Sequence, residues 1–488
     1  MKKLLDLIHS GQLTDWSQRC QEAFNDLFGA GGGRFPEKAR QAVSLRAPGS
    51  GIEVPFASLI HPSNPESGAY GGMSFVLFPL EGRPALITMV VGTQGLSPDE
   101  EILGRPGHGR KVDAICRWLN KEFGQGQMVA WAKQDPARID LDLPGNIQRL
   151  FSDYHAVYKK YGRVIYGLYL PGEDRAATEE AIKAFLDLMF AERGYQPLKG
   201  AEADAHRIQN DYYSHLFPDW TVEEIAALLK QRKYVILQGP PGTGKTRMAK
   251  EKLLKEVYRD NGTAIQFHPN TTYENFIGGL APLHTDEALG LRFAPKPGFL
   301  MEAAQVAAAQ PARPYLLFID EINRADLAKV LGEAIYLLEP QEADRTLQLP
   351  YDFGEPFHTQ LTLPSNLHIL GTMNSSDRSI AIVDIAVRRR FAFVKLWPQT
   401  AVVQELGCEI MQRAFQELLS IFLEYADEES MALLPGHSYF LEKDPDQALI
   451  SLKVNLVPLL EEYLSQGYVA AFSDSIRAYL QWLESLAV

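Results

Sequence analysis

Residues 239–246 combine glycine, lysine and threonine at a spacing that binds phosphate. The stretch reads Gly239-Pro-Pro-Gly-Thr-Gly-Lys-Thr246 and fits the pattern G-x-x-x-x-G-K-[ST]. An apolar run at 234–237 precedes it, and a segment of helical periodicity follows it. The pattern therefore lies between a predicted strand and a predicted helix, which is the context that distinguishes a phosphate-binding loop from a chance match.

The chemistry of such a loop assigns a role to each residue type. Glycines let backbone N–H groups curve around an anion, and the start of the following helix adds its dipole. We expect Lys245 to contact the β- and γ-phosphates and Thr246 to bind Mg²⁺. The predicted nucleotide-binding residues are Gly239, Pro240, Pro241, Gly242, Thr243, Gly244, Lys245, Thr246 and Arg247.

Two adjacent acids follow a second apolar run, at 315–319. We expect Asp320 to belong to the magnesium shell and Glu321 to orient and polarise an attacking water. Strands that end in two acids also arise by chance. A position downstream of the phosphate loop, in an alternating α/β pattern, favours the catalytic interpretation.

Asn374 ends a third apolar run, at 367–373. Its amide could hydrogen-bond the γ-phosphate or the attacking water, or it could simply close a strand in a turn. The two phosphate-related motifs upstream favour a sensor role.

Three adjacent arginines, Arg388, Arg389 and Arg390, end a helix-like stretch at 380–390. Adjacent arginines usually form a solvated basic face. The acidic surroundings suggest instead an anion supplied by a partner. An arginine directed at the γ-phosphate of a neighbouring subunit would stabilise the charge of the transition state, and such a finger in trans implies a ring.

The elements that must position these residues divide the chain into four parts. Residues 1–195 mix helical segments with a predicted hairpin, which indicates an α+β domain. Residues 196–215 are polar and predict a linker, for which a helical conformation stays open. Strands alternate with helices over 216–396, which predicts a parallel sheet covered on both faces. Residues 397–488 are predicted to form a helical lid.

Composition is that of a globular protein, with 46% apolar and 22% charged residues in 488. No apolar run is long enough to span a membrane, and the amino terminus lacks the pattern of a signal peptide. Three widely spaced cysteines argue for the cytoplasm and against a disulfide framework or a zinc site. The net charge of −13 arises wholly after residue 200, so the neutral amino-terminal part is the better candidate for contact with nucleic acid.

One amino-terminal segment, 92–111, is rich in glycine and carries four basic groups, and two interpretations stay open. It could approach a phosphate backbone, or it could be a connecting loop; the basic residues are Arg105, His108, Arg110 and Lys111. Nearby aromatic residues are interpreted as core rather than as a cage for a flipped base; they are Phe75, Phe78, Trp118 and Trp131.

The order of the motifs resembles that of AAA+ NTPases of the McrB type, the motors of modification-dependent restriction systems. The segments that carry the resemblance are GPPGTGKT, FIDEINRA, GTMNSSDRS and VRRRF, with further agreement at 267–279, 331–339 and 436–440. The resemblance covers residues 215–470 or so. The family box usually reads Asn-Thr-Ala-Asp, where this chain has Asn374-Ser-Ser-Asp377.

The resemblance implies roles for individual residues. It places Lys245 and Thr246 on nucleotide and metal, Asp320 and Glu321 in the Walker B motif, and Asn374 as first sensor. Asp377 and Arg378 belong to the same box and would order the catalytic centre or the subunit contact. Arg389 is the first choice for the finger and Arg390 the second, with Arg388 not excluded. For His437, both contact with the nucleotide and a purely structural role stay open.

The resemblance also implies partners and a substrate. Relatives form hexameric rings, engage a separate McrC-like nuclease subunit and use an amino-terminal domain to choose the target, which would be DNA. The best-known members hydrolyse GTP whereas most AAA+ proteins use ATP, so the nucleotide stays open. Two other functions remain: a MoxR-like ATPase chaperone that remodels a partner protein, and a nucleotide-gated scaffold with little turnover. Intact Glu321 and Asn374 argue against the scaffold.

Overall fold

The computed structural model describes residues 1–488 except 30, 49–52, 285–290, 340–344, 377–383 and 487–488. Asp377 and Arg378 lie outside the described residues. The chain divides into two compact units, one of Met1–Phe217 with Leu423–Asp427 and one of Pro218–Phe422 with Glu428–Val488. None of the helices among the described residues is long and apolar enough to cross a membrane.

The first unit contains a six-stranded antiparallel sheet in the order β1-β2-β3-β4-β6-β5. Its strands are β1 (Ser44–Arg46), β2 (Ala57–Ile60), β3 (Met73–Leu80), β4 (Arg83–Val91), β5 (Ala130–Ala132) and β6 (Ile165–Tyr169). The expected hairpin is present as β3 and β4, and Gly82 at its turn has φ +71°, a conformation that favours glycine.

Eight helices are described in this unit. They are α1 (Lys2–His9), α2 (Trp16–Asn25), α3 (Glu100–Leu103), α4 (Pro106–Phe123), α5 (Gly145–Leu150), α6 (His155–Tyr161), α7 (Arg175–Glu192) and α8 (Glu202–Tyr213). Helix α8 lies in the range for which we expected a linker, and Ala205, Ile208 and Tyr212 on one of its faces are buried. Residues 196–215 are therefore largely helical.

The basic groups of segment 92–111 are not free to bind phosphate. Helix α4 begins inside the segment, with Pro106 in its first turn, where proline is favoured. Arg105 and Lys111 both pair with the carboxylate of Glu192, at 3.3 and 2.8 Å, and His108 is fully buried. The interpretation as a DNA-approaching loop is wrong, because Arg105 and Lys111 are paired with a carboxylate, Arg110 donates to backbone carbonyls of the same unit, and residues 106–111 are helical.

The second unit contains a five-stranded parallel sheet in the order β15-β7-β14-β11-β8, together with the two-stranded antiparallel ribbons β9-β10 and β12-β13. The strands are β7 (Tyr234–Gly239), β8 (Gly262–Gln266), β9 (Gly278–His284), β10 (Leu291–Pro297), β11 (Tyr315–Asp320), β12 (Thr346–Gln348), β13 (Gln360–Thr362), β14 (Leu367–Asn374) and β15 (Ala392–Lys395).

The helices of the second unit flank this sheet and continue to the carboxyl terminus. They are α9 (Val222–Arg232), α10 (Lys245–Arg247), α11 (Tyr273–Phe276), α12 (Phe299–Ala309), α13 (Leu327–Leu331), α14 (Ile385–Arg388), α15 (Thr400–Leu406), α16 (Glu409–Tyr425), α17 (Glu428–Met431), α18 (Pro445–Ser451), α19 (Val457–Ser465) and α20 (Ser473–Ser485). Helix α10 continues as a π-helix over Met248–Val257.

Both faces of the parallel sheet are buried, which explains why its strands are continuous apolar runs. Ile236 and Leu317 pack into one core cluster, whereas their neighbours Val235 and Leu316 pack into a second. Alternate residues of a strand point to opposite faces, so covering both faces requires apolar side chains at successive positions. The expected α/β domain with a preceding α+β region and following helices is confirmed.

A buried histidine at the start of β14 makes the second unit sensitive to pH. The hydroxyl of Tyr258 is hydrogen-bonded to Nδ1 of His368, and both side chains are buried. Burial, with smaller effects of Lys233 and Lys230, lowers the pKa of His368 to about 4 from 6.5. The unfolded chain therefore takes up this proton before the folded chain does.

We predict that the stability gained from neutral His368 is complete above pH 6.5 and is lost as the pH falls from 6.5 towards 4. Chemical denaturation of wild type and His368→Gln at pH 7.5 and pH 5 measures the effect. The advantage of wild type should shrink by about 2 kcal/mol at pH 5, because glutamine does not titrate. A difference between the two proteins that is the same at both pH values would contradict the prediction.

Candidate nucleotide-binding site

The loop between β7 and α10 has the backbone geometry of a phosphate cradle. Gly242 and Gly244 have φ +81° and +77°, a region that other residues rarely adopt. A side chain at Gly242 would also collide with Ser438, whose Oγ lies 2.4 Å from the position of the added Cβ. The hydroxyl of Thr243 donates to the carbonyl of Pro240 at 2.9 Å and closes the loop on itself. The predicted glycine loop is thus formed between a strand and a helix start.

Lys245 lies within this loop and is only 7% exposed. Its Nζ donates to the carbonyl oxygens of Gly239 and Pro240 at 2.9 and 2.7 Å. Burial lowers the pKa of Lys245 to about 8, against the opposing influence of the Glu321 and Asp320 carboxylates. A bound triphosphate would add negative charge next to the amine and favour its protonated form, so the residue suits an anionic ligand.

Asp320, at the end of β11, faces the first turn of the helix that follows the loop. Its Oδ1 accepts a hydrogen bond from the hydroxyl of Thr246 at 3.0 Å and another from the hydroxyl of Thr372. A carboxylate and a hydroxyl side by side are oxygen ligands of the kind that Mg²⁺ takes together with nucleotide phosphates. The donor set fits the metal that the sequence predicts.

Glu321 and Asn374 are in direct contact. The side-chain amide of Asn374 donates to Oε1 of Glu321 at 2.8 Å, and Nε of Arg324 lies 3.5 Å from Oε2. That Oε2 is buried and has no hydrogen-bond partner among the described residues. A buried oxygen without a partner is rare, and an attacking water would satisfy it. The structure therefore brings together the predicted water-activating acid and the predicted sensor.

Residues 436–438, between α17 and α18, are bound to the loop through backbone hydrogen bonds. The N–H of Gly436 donates to the carbonyl of Pro241 at 2.9 Å, and that of Ser438 donates to Gly242 at 3.1 Å. Nδ1 of His437 accepts from the N–H of Gln399 at 3.2 Å. The carboxyl-terminal helices are thus connected to the cradle itself.

His437 makes a structural hydrogen bond and also lies beside the glycine loop. Burial, and then the charge of Arg247, lowers the pKa of His437, so its ring is neutral at pH 7. Because Nδ1 accepts a hydrogen bond, the proton of the neutral ring is on Nε2. That atom lies 3.6 Å from where a Cβ on Gly244 would be, so an N–H donor faces the cradle.

The three arginines differ in their surroundings. The guanidinium of Arg388 lies 5.4 Å from the ring centre of Phe393. Arg390 is half-buried and donates to the carbonyl of Ala386 at 2.8 Å, back along its own helix. Arg389 is exposed, and its side chain, unlike its backbone N–H, makes no hydrogen bond or ion pair within the part of the chain that the structure describes.

Two residues that contact the predicted catalytic acids, Thr372 and Arg324, were not predicted from the sequence. Thr372 lies two residues before Asn374 on β14, so both side chains point to the same face of the strand. The spacing of two residues from Asn374 was the signal in the sequence that could have identified Thr372. Arg324 follows Glu321 by three residues in a short 3₁₀ helix, Ile322–Arg324, which the sequence did not predict.

Comparison with known proteins agrees with this geometry. Residues 234–391 match the family model of the AAA domain (dynein-related subfamily). The chain is 30% identical over 350 residues to the type IV methyl-directed restriction enzyme EcoKMcrB subunit of Escherichia coli strain K12, which covers 66% of this chain and 75% of that protein.

Two further relatives are more distant. The chain is 28% identical over 206 residues to the type II restriction enzyme BsuMI component YdiS of Bacillus subtilis strain 168, covering 36% of this chain and 60% of that protein. It is 26% identical over 267 residues to YehL of Escherichia coli strain K12, covering 55% of this chain and 64% of that protein.

The AAA match spans the strands that carry the glycine loop, the acid pair and Asn374. The alignment with the EcoKMcrB subunit covers 350 residues and therefore extends well beyond that domain. The chain is therefore a P-loop NTPase of the AAA+ class, and it belongs to the McrB-type family of restriction-associated AAA+ proteins.

Proposed function

We propose that this protein is a Mg²⁺-dependent nucleoside triphosphatase that acts as the motor subunit of a cytoplasmic restriction or anti-phage system. The substrate is ATP or GTP, and hydrolysis drives a separate McrC-like nuclease subunit. The single observation that carries the proposal is the hydrogen bond from Asn374 to Glu321 next to the pairing of Thr246 with Asp320. These contacts join a metal site, a water-activating acid and a sensor at one edge of a sheet.

The reaction follows from these positions. The glycine loop and Lys245 bind the phosphates, and Thr246 and Asp320 would hold Mg²⁺, which neutralises phosphate charge when bound. Asn374 fixes one carboxylate oxygen of Glu321, which leaves the other to orient a water. The water oxygen forms a bond to the γ-phosphorus, the bond from the γ-phosphorus to the bridging oxygen breaks, and Glu321 accepts the proton of the water.

The first test is Glu321→Gln, which keeps the size of the side chain and the contact with Asn374 but removes the base. We predict that phosphate release from ATP or GTP falls at least about 100-fold, while binding of a non-hydrolysable analogue is retained. Glu256→Gln is the control, because Glu256 is exposed and pairs only with Lys252 in the described structure. Equal and very slow release by wild type and Glu321→Gln would instead support a binding scaffold.

We propose that the active form is a hexameric ring in which Arg389 reaches the γ-phosphate held by the next subunit. Arg389 is the first choice because its side chain is exposed, whereas Arg390 donates to the carbonyl of Ala386 in α14 and Arg388 lies over the ring of Phe393. Asp377 and Arg378, to which the resemblance gives a role, would order either the catalytic centre or this interface.

Arg389→Ala should abolish hydrolysis and spare nucleotide binding, because the finger acts only on transition-state charge. Mixing Arg389→Ala subunits with Glu321→Gln subunits should restore part of the activity, since some interfaces then combine an intact arginine with an intact acid. Arg388→Ala and Arg390→Ala rank the alternatives. A monomeric fraction, identified by light scattering, that keeps the full wild-type rate would rule out a finger in trans.

For the amino-terminal domain we propose recognition of DNA through a cavity on its sheet. The cavity has a volume of about 170 Å³ and is bounded by aromatic side chains, with valines and small or hydroxyl-bearing residues between them. The aromatic residues are Phe56, Tyr70, Phe78 and Tyr161. Its size and aromatic walls suit a single base that has left the duplex stack.

Phe75 and Trp118 are buried core residues as expected, whereas Phe78, also assigned to the core, lines the cavity as well.

Tyr70→Ala should weaken binding of the full chain to its target duplex by about 5- to 100-fold, because one base–aromatic stack is lost. Tyr70→Phe keeps the ring and serves as the matched control. The measurement is a mobility-shift titration with methylated and unmethylated duplexes. Unchanged affinity of Tyr70→Ala for both duplexes would exclude the cavity as the base-binding site.

A further inference from the structure

Thr372 lies between the two catalytic acids and contacts both. It belongs to β14 and is 2% exposed. Its Oγ1 accepts a hydrogen bond from the backbone N–H of Glu321 at 3.2 Å and donates to Oδ1 of Asp320. One hydroxyl group thus joins the main chain of one acid to the carboxylate of the other.

Glu321 needs such a support because its backbone is strained. It has φ +52° and ψ +47°, in the left-handed region, where a residue other than glycine persists only if its surroundings hold it. The pairing of β11 with β14 ends at Ile319 and Gly371, so the N–H of Glu321 lies beyond this ladder. The hydroxyl of Thr372 takes the place of a ladder carbonyl as its acceptor.

Asp320 depends on the same hydroxyl. Its Oδ1 is shared by two threonines, Thr246 from the loop and Thr372 from the adjacent strand. Thr246 is itself a predicted metal ligand, so its hydroxyl would turn to the metal when nucleotide binds. Thr372 would then be the contact that keeps the carboxylate in place, as partners of metal ligands do in other sites.

We propose that Thr372 is a positioning residue that fixes the Asp320 carboxylate for metal binding and the Glu321 backbone for water activation. The proposal rests on the function proposed above. Threonine is common in strands and often satisfies its hydroxyl on a backbone carbonyl, as Thr88 does by donating to Val76 at 3.0 Å. Thr372 differs because both of its partners belong to the site.

The decisive comparison is Thr372→Val against Thr372→Ser. Valine keeps the shape and removes the hydroxyl, whereas serine keeps the hydroxyl. We expect Thr372→Val to lower kcat by about 100-fold with little change in KM, since a misplaced catalytic group costs turnover rather than uniform binding. Thr372→Ser should keep most of the wild-type rate. Thr88→Val, a buried strand threonine of the other unit, should match wild type.

A second measurement does not depend on turnover. Binding of a fluorescent, non-hydrolysable triphosphate analogue is titrated with Mg²⁺. In Thr372→Val the Mg²⁺ concentration for half-maximal binding should rise about 10- to 100-fold, and Thr372→Ser should resemble wild type. If the valine variant does not fold, Thr372→Ala against Thr372→Ser isolates the hydroxyl in the same two assays.

The possible results separate this inference from the proposed function. If wild type releases no phosphate from either nucleotide, hydrolysis is refuted, and the Mg²⁺ titration alone decides the role of Thr372. If wild type turns over, and variants without the hydroxyl equal Thr372→Ser in both rate and Mg²⁺ dependence, the positioning role is overturned. Loss of thermal stability without a change in kcat or Mg²⁺ dependence would likewise reduce Thr372 to a structural residue.

Discussion

The register between three parallel strands determines where the glycine loop, the two acids and Asn374 of the candidate site lie. Asn374 on β14 is paired with Gly239 on β7, and Ile319 on β11 is paired with Gly371 on β14. Parallel strands bring their carboxyl ends to one edge, so the glycine loop, the acid pair and the sensor meet there although long stretches of sequence separate them. A slip of one residue in β14 would turn Thr372 and Asn374 to the opposite face and dismantle the site.

Several polar side chains that a nucleotide or metal would contact are hydrogen-bonded to other groups of the site. Lys245 is bound to two loop carbonyls, Thr246 to Asp320, and Asn374 to Glu321. Nucleotide binding must exchange some of these contacts for contacts with phosphate and metal, which reduces the net gain per hydrogen bond. The exception is Oε2 of Glu321, which accepts no hydrogen bond from the described residues and has only Nε of Arg324 nearby, at 3.5 Å.

Sequence reasoning located the parts of the site that depend on local pattern. Apolar runs predicted β7, β11 and β14 because a strand covered on both faces must be apolar at every position, and the functional residues follow directly at their ends. It failed where the environment comes from distant residues. The cations at Arg105 and Lys111 suggested a nucleic-acid surface, yet Glu192, far away in the chain, neutralises them.

Thr372 is a residue whose contacts with the site could not be predicted from the sequence. In the sequence it is one more β-branched residue in a strand, and only its two hydrogen bonds reveal a second role. The proposed trans arginine is a stricter case, because its environment would belong to another subunit and no property of a single chain would specify it. The segment predicted as a linker is a further case. The buried face of α8 depends on the elements that pack against it, and these cannot be recognised from the sequence of the segment itself.

The two backbone bonds between residues 436–438 and the glycine loop have a mechanical consequence. If phosphate entry shifts the carbonyls of Pro241 and Gly242, then Gly436 and Ser438 must follow or give up both bonds. These residues lead directly into α18 and the helices beyond it. A small rotation of residues 436–438 would produce a larger displacement at the far end of the helices that follow. The loop can therefore transmit the binding of phosphate to those helices.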